Sequence, residues 1–260
     1  MIPGSATPLL LAQSGDDGYK IDRSLRFNSA DSAYLNRTPA SAGNRKTWTW
    51  SGWVKRSTEG NVDHVFNANG YSLFYFFSDH KLDFDGGGTG AFSTARAFRD
   101  FSAWYHIVLA FDTTQATASN RIKLWVNGEQ IQDWDSITYP AQNADGAINS
   151  TGVHKIGHWN TQYSNFYLAD VHFIDGQALA PTVFGEFDDN NVWQPKAFVG
   201  TYGPLVDQSQ TWSSSYTESG GWYDAASNAT KTFDGSTTST SSSYATGGTT
   251  SFSLSTSTIK

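Results

Sequence analysis

Glu186 and Asp188 come closest to the carboxylate pair that cleaves a glycan. Retaining hydrolysis needs an acid and a nucleophile about 5 to 5.5 Å apart, and alternate residues of a strand can present two carboxylates on one face. The pattern Glu-x-Asp-x-Glu would supply them, but Asn190 stands where the last glutamate belongs. The segment also follows a short helix that we predict over residues 181–187. We therefore predict no enzymatic activity.

Two histidines, His154 and His158, are close enough in sequence to share a metal ion. Four-residue spacing suits a zinc site on a helix, but residues 154–158 read as a strand, on which the two side chains would share one face about two repeats apart. We therefore predict no zinc site. His106 lies inside an apolar strand, and we interpret it as a hydrogen-bonded core histidine.

Aromatic residues in loop-like stretches could stack on the face of a sugar. We predict four of them as carbohydrate-binding residues: Trp134, Tyr139, Trp159 and Tyr163. The alternative is that they pack the loops or a contact between subunits. Four other tryptophans fall within predicted strands and are assigned to the core: Trp48, Trp50, Trp53 and Trp104.

Composition excludes several classes of partner and site. The chain has 260 residues, of which 17 are basic and 24 acidic, and its formal net charge is −7. No cluster of Lys and Arg could neutralise a nucleic-acid backbone, so we predict no nucleic-acid partner. The chain has no cysteine, which excludes disulfides and thiolate zinc sites. The apolar run at residues 8–12 is too short for an export signal or a membrane span, so we predict no membrane insertion.

Apolar residues alternate with a period of two between clusters of Gly, Asn, Asp and Ser, which predicts an all-β chain. We predict a two-sheet antiparallel β-sandwich with strands at residues 24–28, 33–36, 47–56, 64–68, 72–79, 81–85, 91–98, 104–112, 121–126, 154–158 and 166–174. Residues 104–112 are apolar on both faces, as in an interior strand. Asn127-Gly128 supplies the pair that a two-residue type I′ hairpin needs.

Composition also divides the chain. We predict an extended N-terminal arm at residues 1–18, the sandwich at 19–190 and a wrapping segment or linker at 191–208. Residues 209–260 form a Ser/Thr/Gly-rich segment, interpreted as a linker or as the start of a second β domain. Of the 27 residues from 234 to 260, 17 are Ser or Thr, too polar a stretch to bury a core of its own.

The sequence Trp-Tyr-His-Ile-Val-Leu-Ala-Phe-Asp at 104–112, followed by Ile-Lys-Leu-Trp-Val-Asn-Gly at 122–128, resembles the signature of laminin-G and concanavalin A-like domains. Residues 166–174 resemble the closing strand of that family. The resemblance implies a jelly-roll sandwich that often holds calcium with aspartates at one edge. Asp83, Asp85, Asp112 and Asp170 are candidates, and we predict Asp112 and Asp170 as ligands; alternatively these two cap turns or accept buried hydrogen bonds. No other cofactor is predicted.

Residues 24–56, with the Ile-Pro-Gly-Ser arm at 2–5 ahead of them, are similar to virion proteins of marine bacteriophages that carry such a domain. This resemblance implies a tail-fibre, appendage or capsid-surface component, located at the virion surface. Its expected partners are other virion proteins through the N-terminal arm, further copies of itself as a homo-oligomer, and a host-surface glycan. The alternative is a free carbohydrate-binding module or a bacterial surface adhesin.

Overall fold

A computed structural model describes residues 18–57, 62–70 and 72–202, and the backbone alone at 72–73, 211–214 and 251–253. The predicted arm therefore lies outside the described residues, apart from Gly18. The same holds for most of the predicted segment 209–260 and for residues 203–208 of the predicted linker. Among the described residues, no helix has the length and apolar character needed to cross a membrane.

Two antiparallel sheets form a β-sandwich, which confirms the predicted fold class. The strands in chain order are β1 Leu25–Phe27, β2 Leu35–Arg37, β3 Thr47–Arg56, β4 Asp63–Ala68, β5 Ser72–Phe76, β6 Lys81–Gly86, β7 Ala91–Ala97, β8 Tyr105–Asp112, β9 Ile122–Val126, β10 Glu129–Gln130, β11 Trp134–Thr138, β12 His154–Ile156, β13 His158–Trp159, β14 Gln162–Tyr163, β15 Phe166–Asp175, β16 Gly185–Phe187, β17 Trp193–Pro195, β18 Thr211–Ser214 and β19 Ser251–Ser253. Three 3₁₀ turns complete the described elements: Ser29–Asp31, Ala118–Asn120 and Pro181–Val183.

The first sheet has the order β1-β15-β3-β8-β9-β10, and the second has the order β11-β7-β6-β5-β4-β12-β2-β18-β19. Strand β8 lies between β3 and β9 and is buried on both faces, so the predicted interior strand is confirmed. Between the sheets, aromatic rings fill the core: Trp48 stacks on Phe111 at 5.0 Å, and Trp50 meets the edge of Phe74 at 5.2 Å. Such pairs add to the stabilisation from buried apolar area.

The hairpin between β9 and β10 has the predicted turn. Asn127 and Gly128 have φ angles of 51° and 80°, and Val126 pairs directly with Glu129. Both φ angles lie in the left-handed region that a type I′ turn requires and that Asn and Gly tolerate best. The turn also packs beneath the ring of Trp193, because a Cβ placed on Gly128 would lie 2.4 Å from Trp193 Cε3.

Two predicted elements were wrong. Only Pro181–Val183 is helical, as a single 3₁₀ turn, and β16 follows at once because Phe184 is drawn into the core and the next residues pair with β17. The predicted strand at 154–158 is split at Gly157, whose φ of 82° turns the chain out of the second sheet. His154 therefore stays in that sheet, while His158 begins the separate hairpin β13–β14.

The outer face of the first sheet is covered by residues 177–202, which we call the covering segment. Its Phe184 packs with Val108 and Ile174 of the sheet in a second apolar cluster. The outer face of the second sheet differs, because outward side chains of β5, β6 and β7 remain in contact with solvent.

Candidate functional site

Four side chains from four neighbouring strands form a row across the outer face of the second sheet. The strand register pairs His64 of β4 with Tyr75 of β5, Tyr75 with Asp83 of β6, and Asp83 with Ser93 of β7. Directly paired residues of antiparallel strands point to the same face, and the neighbouring Phe74 is buried in the core on the other side. We call these four residues the Tyr75 row.

The hairpin β13–β14 extends the row at its His64 end. The Trp159 ring lies 5.3 Å from the His64 ring, and its Nε1 donates a hydrogen bond to the Gly70 carbonyl. Gln162 Oε1 lies 3.0 Å from His64 Nε2. Tyr163 packs behind, with its ring 4.5 Å from that of His158. The hairpin therefore places an indole beside the imidazole of the row.

His64 has one hydrogen-bonding atom that the described protein does not use. The side chain is 2% exposed, and burial lowers its pKa, so the ring is neutral near pH 7. Because Gln162 Oε1 accepts a hydrogen bond from Nε2, the neutral ring leaves Nδ1 as an acceptor. Among the described residues this buried Nδ1 has no partner, and an unpaired buried polar atom costs about 1–3 kcal/mol.

Tyr75 is a protonated phenol at the centre of the row. Burial, together with the smaller effects of the charges of Asp83, Asp85 and Asp79, raises its pKa to about 12. The hydroxyl therefore stays able both to donate and to accept a hydrogen bond across the physiological range.

Asp83 also retains an unused acceptor. Burial raises the pKa of its carboxyl, and a hydrogen bond from Ser93 lowers it. Its Oδ1 is buried and has no partner within the described chain. A partly buried carboxylate with an unpaired acceptor favours a ligand that brings a hydrogen-bond donor.

Carboxylates surround the Asp83 end of the row. Asp85 lies two residues along β6 and is exposed, and the side chains of Asp79 and Asp135 are about half exposed. Lys81 contacts both of the latter, lying 3.5 Å from Asp79 and in hydrogen-bond contact with Asp135. The lysine charge is thus shared between two carboxylates.

The structure divides the four predicted sugar-binding aromatics between two places. Trp159 and Tyr163 lie together at the His64 end of the Tyr75 row, whereas Trp134 and Tyr139 lie at or just after β11, the edge strand next to β7 at the Ser93 end. The Trp134 ring packs 5.0 Å from Phe92, a core residue, so it is directed inward. The four residues do not form one platform.

The two predicted calcium ligands are not brought together. Asp112 pairs with Thr47 of β3, whereas Asp170 lies in a bulge of β15 beside residues 51–53 of β3. These positions on β3 are about five residues apart, or about 16 Å along the strand. Asp112 accepts hydrogen bonds from Thr47, Thr114 and Gln115. These contacts match the turn-capping alternative for Asp112.

Asp170 has a φ of 47° at a bulge in β15 and accepts a hydrogen bond from the Tyr19 hydroxyl at 2.9 Å. His172 Nε2 lies 3.2 Å from the same oxygen. Within residues 18–57, 62–70 and 72–202 no three Asp, Glu or His side chains group as metal ligands, whereas calcium takes six to eight oxygens. Asp112 and Asp170 therefore lie in separate places and make separate contacts with the protein.

The carboxylates considered for catalysis serve structural contacts. Glu186 is an exposed residue of β16, 2.9 Å from Lys196 Nζ. Asp188 closes the β16–β17 turn by accepting from the backbone N–H groups of Asn190 and Val192. On the open face, Asp85 follows Asp83 with strand spacing, but its Oδ1 accepts from the Gly87 N–H at 2.9 Å.

His106 lies 2.9 Å from the Ser51 hydroxyl, a pair that could suggest a nucleophile and base. Trp193 Nε1 donates to His106 Nδ1 at 2.9 Å, so the proton of the neutral ring is on Nε2, the nitrogen that faces Ser51. A base would need Nε2 unprotonated. His106 is 1% exposed and burial lowers its pKa to about 3, which confirms the predicted core histidine.

His154 and His158 have separate protein partners. His154 Nε2 accepts from the Asn149 N–H at 2.9 Å, and its Nδ1 lies 2.8 Å from the Gly152 carbonyl. His158 Nδ1 lies 3.1 Å from Lys155 Nζ. The pair does not present free nitrogens to one metal ion.

His64 and Tyr75 were not predicted from the sequence as candidate site residues. The predicted strand over residues 72–79 extended three residues past the end of β5. It therefore included residues of the turn that sets the pairing of Tyr75 with Asp83. A turn predicted at Ser78-Asp79 would have paired Tyr75 with Asp83. In the structure, the Asp79 side chain accepts a hydrogen bond from the Lys81 N–H in that turn. The position of His64 needed the pairing of β4 with β5 as well.

Comparison with known families and structures gives one family match. The family described as "Concanavalin A-like lectin/glucanases superfamily" (Laminin_G_3) matches residues 27–184. No curated protein sequence matches the chain.

The solved structures that are similar to this chain include three of low sequence identity. A heptameric SAP-like pentraxin from Limulus polyphemus is 14% identical, with a TM-score of 0.43 over 60% of this chain and 77% of that one. A putative carbohydrate binding protein from Bacteroides ovatus is 15% identical, with a TM-score of 0.48 over 63% of this chain and 46% of that one. Domains LG4-5 of the mouse laminin alpha1 chain are 10% identical, with a TM-score of 0.43 over 79% and 52%. The alignment thus spans about half of each of the last two.

Proposed function

The chain belongs to the concanavalin A-like lectin/glucanases superfamily, and from that premise we propose that it is a non-catalytic glycan-binding protein. We place its binding site on the outer face of the second sheet, at the Tyr75 row and Trp159. One observation carries this proposal: an indole, a phenol, an imidazole and a carboxylate lie side by side on an open sheet face, with His64 Nδ1 and Asp83 Oδ1 unpaired.

This set of groups suits a sugar because a pyranose has an apolar C–H face and a polar rim. The rings of Trp159 and Tyr75 offer apolar surface to the C–H face. Asp83, Ser93 and the Tyr75 hydroxyl offer acceptors and donors to the rim hydroxyls. A binding site that combines apolar contact with a few placed polar groups is the usual arrangement for a small ligand.

The test is binding to a glycan array, followed by calorimetry with each glycan found. Trp159→Ala and Tyr75→Ala should each weaken binding at least tenfold, because each removes a ring contact that contributes about 1.4 kcal/mol or more to the binding free energy. Trp134→Ala is the matched control, since that ring packs against Phe92 and should leave the affinity unchanged. Equal loss in all three variants, or release of reducing sugar by the wild type, would contradict the proposal.

We further propose that the protein carries out this binding as a tail-fibre, appendage or capsid-surface component of a bacteriophage. The similarity of residues 24–56 to phage virion proteins supports this setting. In that setting the N-terminal arm contacts other virion proteins, and copies assemble around a symmetry axis. The alternative is a free carbohydrate-binding module or a bacterial adhesin.

Antibody labelling of intact particles distinguishes these settings. Label at regular positions on purified virions, with loss of incorporation when residues 1–18 are deleted, is the result expected of a particle component. A monomeric protein recovered only from bacterial surfaces or medium would favour the alternative.

A further inference from the structure

We propose that the Tyr75 row selects glycans that carry a free amine, such as unacetylated amino sugars, over neutral and anionic glycans. This inference rests on the proposed function, because it concerns the ligand class of the same site. It adds a prediction about charge that glycan binding alone does not make.

The charge around the row is negative. Asp83 lies in the row, Asp85 lies on the same face of β6, and Asp79 is near enough for its charge to act on the Tyr75 hydroxyl. Lys81 is the cation among them, and it already contacts Asp79 and Asp135. The carboxylates therefore exceed the cations at this end of the face.

The other nearby lysine does not offset this charge. Lys155 Nζ lies 3.1 Å from His158 Nδ1 and 5.7 Å from the centre of the Tyr34 ring, on β12, which β4 and β5 separate from Asp83 of β6. Its ammonium is thus held by an imidazole and an aromatic face.

Asp83 offers an ammonium group a specific place. Its Oδ1 is buried and without a partner in the described chain, and its cross-strand neighbour is the Tyr75 ring. A ligand ammonium at this point would make a charge-assisted hydrogen bond with the carboxylate. It would also lie close to an aromatic face, which attracts cations.

His64 provides a second indication of a ligand, independent of the carboxylates. It is 2% exposed and lies in the row between the rings of Tyr75 and Trp159, at 5.7 Å and 5.3 Å. Its Nδ1 lacks a donor among the described residues. A ligand rich in N–H and O–H donors matches these unused acceptors, whereas a carboxylated sugar would place like charges together.

The experiment compares three oligosaccharides of equal length by calorimetry at pH 5.5 and low salt: a fully deacetylated chitosan tetramer, a chitin tetramer and tetragalacturonate. We expect the chitosan tetramer to bind at least tenfold more tightly than the chitin tetramer, and tetragalacturonate to bind more weakly than both. The advantage should shrink at 0.5 M salt, because salt screens exposed charges.

Asp83→Asn should remove most of the preference, and Asp85→Asn should remove a smaller part. Asp189→Asn is the matched control, because it removes the same charge from an exposed position on the covering segment; it should retain the full preference. Thermal unfolding of each variant checks that it folds, and Asp85→Asn still tests the inference if Asp83→Asn does not.

Equal affinity for the chitosan and chitin tetramers would overturn this inference and leave the proposed function standing. An equal loss of preference in Asp189→Asn would also overturn it, by showing an effect of net charge alone. Failure of the glycan array to reveal any ligand dependent on Trp159 would instead overturn the proposed function itself.

Discussion

The two outer faces of the sandwich differ, because one is covered by another segment of the chain and the other is open. On the first sheet, the covering segment fills the face with Phe184 and Trp193 and bonds to the strands beneath: Thr49 Oγ1 donates to the Gln177 carbonyl at 2.7 Å, and Trp193 Nε1 donates to His106. On the second sheet, Tyr75, Asp83 and Ser93 of the Tyr75 row keep contact with solvent, whereas His64 is buried.

One fold can thus separate the surface that stabilises it from the surface that is open to a ligand. Each sheet must bury one face against the other, but its outer face can be covered or left open. Apolar residues on the covered face contribute to the free energy of unfolding, whereas unpaired acceptors on the open face, such as Asp83 Oδ1, cost stability until a ligand satisfies them. Substitutions on the two faces should therefore have opposite signatures.

The largest expected effect is on the covered face. Phe184 has no exposed surface and packs against Val108 and Ile174, so Phe184→Ala should lower the free energy of unfolding by about 3–5 kcal/mol. Phe77→Ala is the open-face counterpart, and because Phe77 is 42% exposed it should cost about 1 kcal/mol or less. Urea unfolding measures both, and similar losses would break the comparison.

A smaller effect should follow from the turn beneath Trp193. Gly128→Ala forces a side chain into a φ of 80° and places its Cβ 2.4 Å from Trp193 Cε3, so we expect a loss of about 2–3 kcal/mol. Gly70→Ala is the matched control, because Gly70 has a φ of 72° with nothing within 4 Å of the added Cβ. It should cost only the backbone strain, about 1–2 kcal/mol. Equal costs would show that Trp193 moves aside freely.

Per pH unit, the smallest effect is the pH dependence of stability that His106 contributes. Burial lowers its pKa to about 3 in the folded protein, against about 6.5 in an unfolded chain. Between these values the unfolded state binds more protons, so this stabilisation is complete above pH 6.5 and is lost as the pH falls. The slope is about 1.4 kcal/mol per pH unit.

His106→Gln isolates that slope. Asp63, whose pKa burial raises to about 6, acts in the opposite direction: its contribution is complete below its unfolded pKa of about 4 and is lost as the pH rises through 6. The variant keeps Asp63, so between pH 5.5 and 4 its stability should fall less steeply than that of the wild type. If the urea midpoints of the two proteins changed equally with pH, the assignment of this slope to His106 would be contradicted.

The sequence predicted the sandwich because its signals are local. Alternation along β8 and β9 and the Asn127-Gly128 turn each depend on a few consecutive residues, and the structure confirms them. The helix at 181–187 failed because Pro181 favours a helix start, whereas the burial of Phe184 and the pairing of β16 with β17 depend on the rest of the fold.

The candidate site was harder to predict from the sequence, because it depends on the pairing register of four strands. Trp159 and Asp83 were both singled out from the sequence, but nothing in their local patterns shows that Tyr75 and His64 lie between them. Trp134 looked equivalent to Trp159, since both lie in loop-like stretches of the sequence. Only the packing of Trp134 on Phe92 separates them.

We propose that the open face binds glycan, while the covered face stabilises the fold. Titration of the ¹⁵N-labelled protein with its best array ligand tests this directly, because the indole N–H signals of Trp159 and Trp193 report on the two faces. We predict that the Trp159 indole and the amides of β4 to β6 shift on binding, with the Trp193 indole unchanged. Shifts centred on Trp193 and the covering segment, with Trp159 unchanged, would contradict the account.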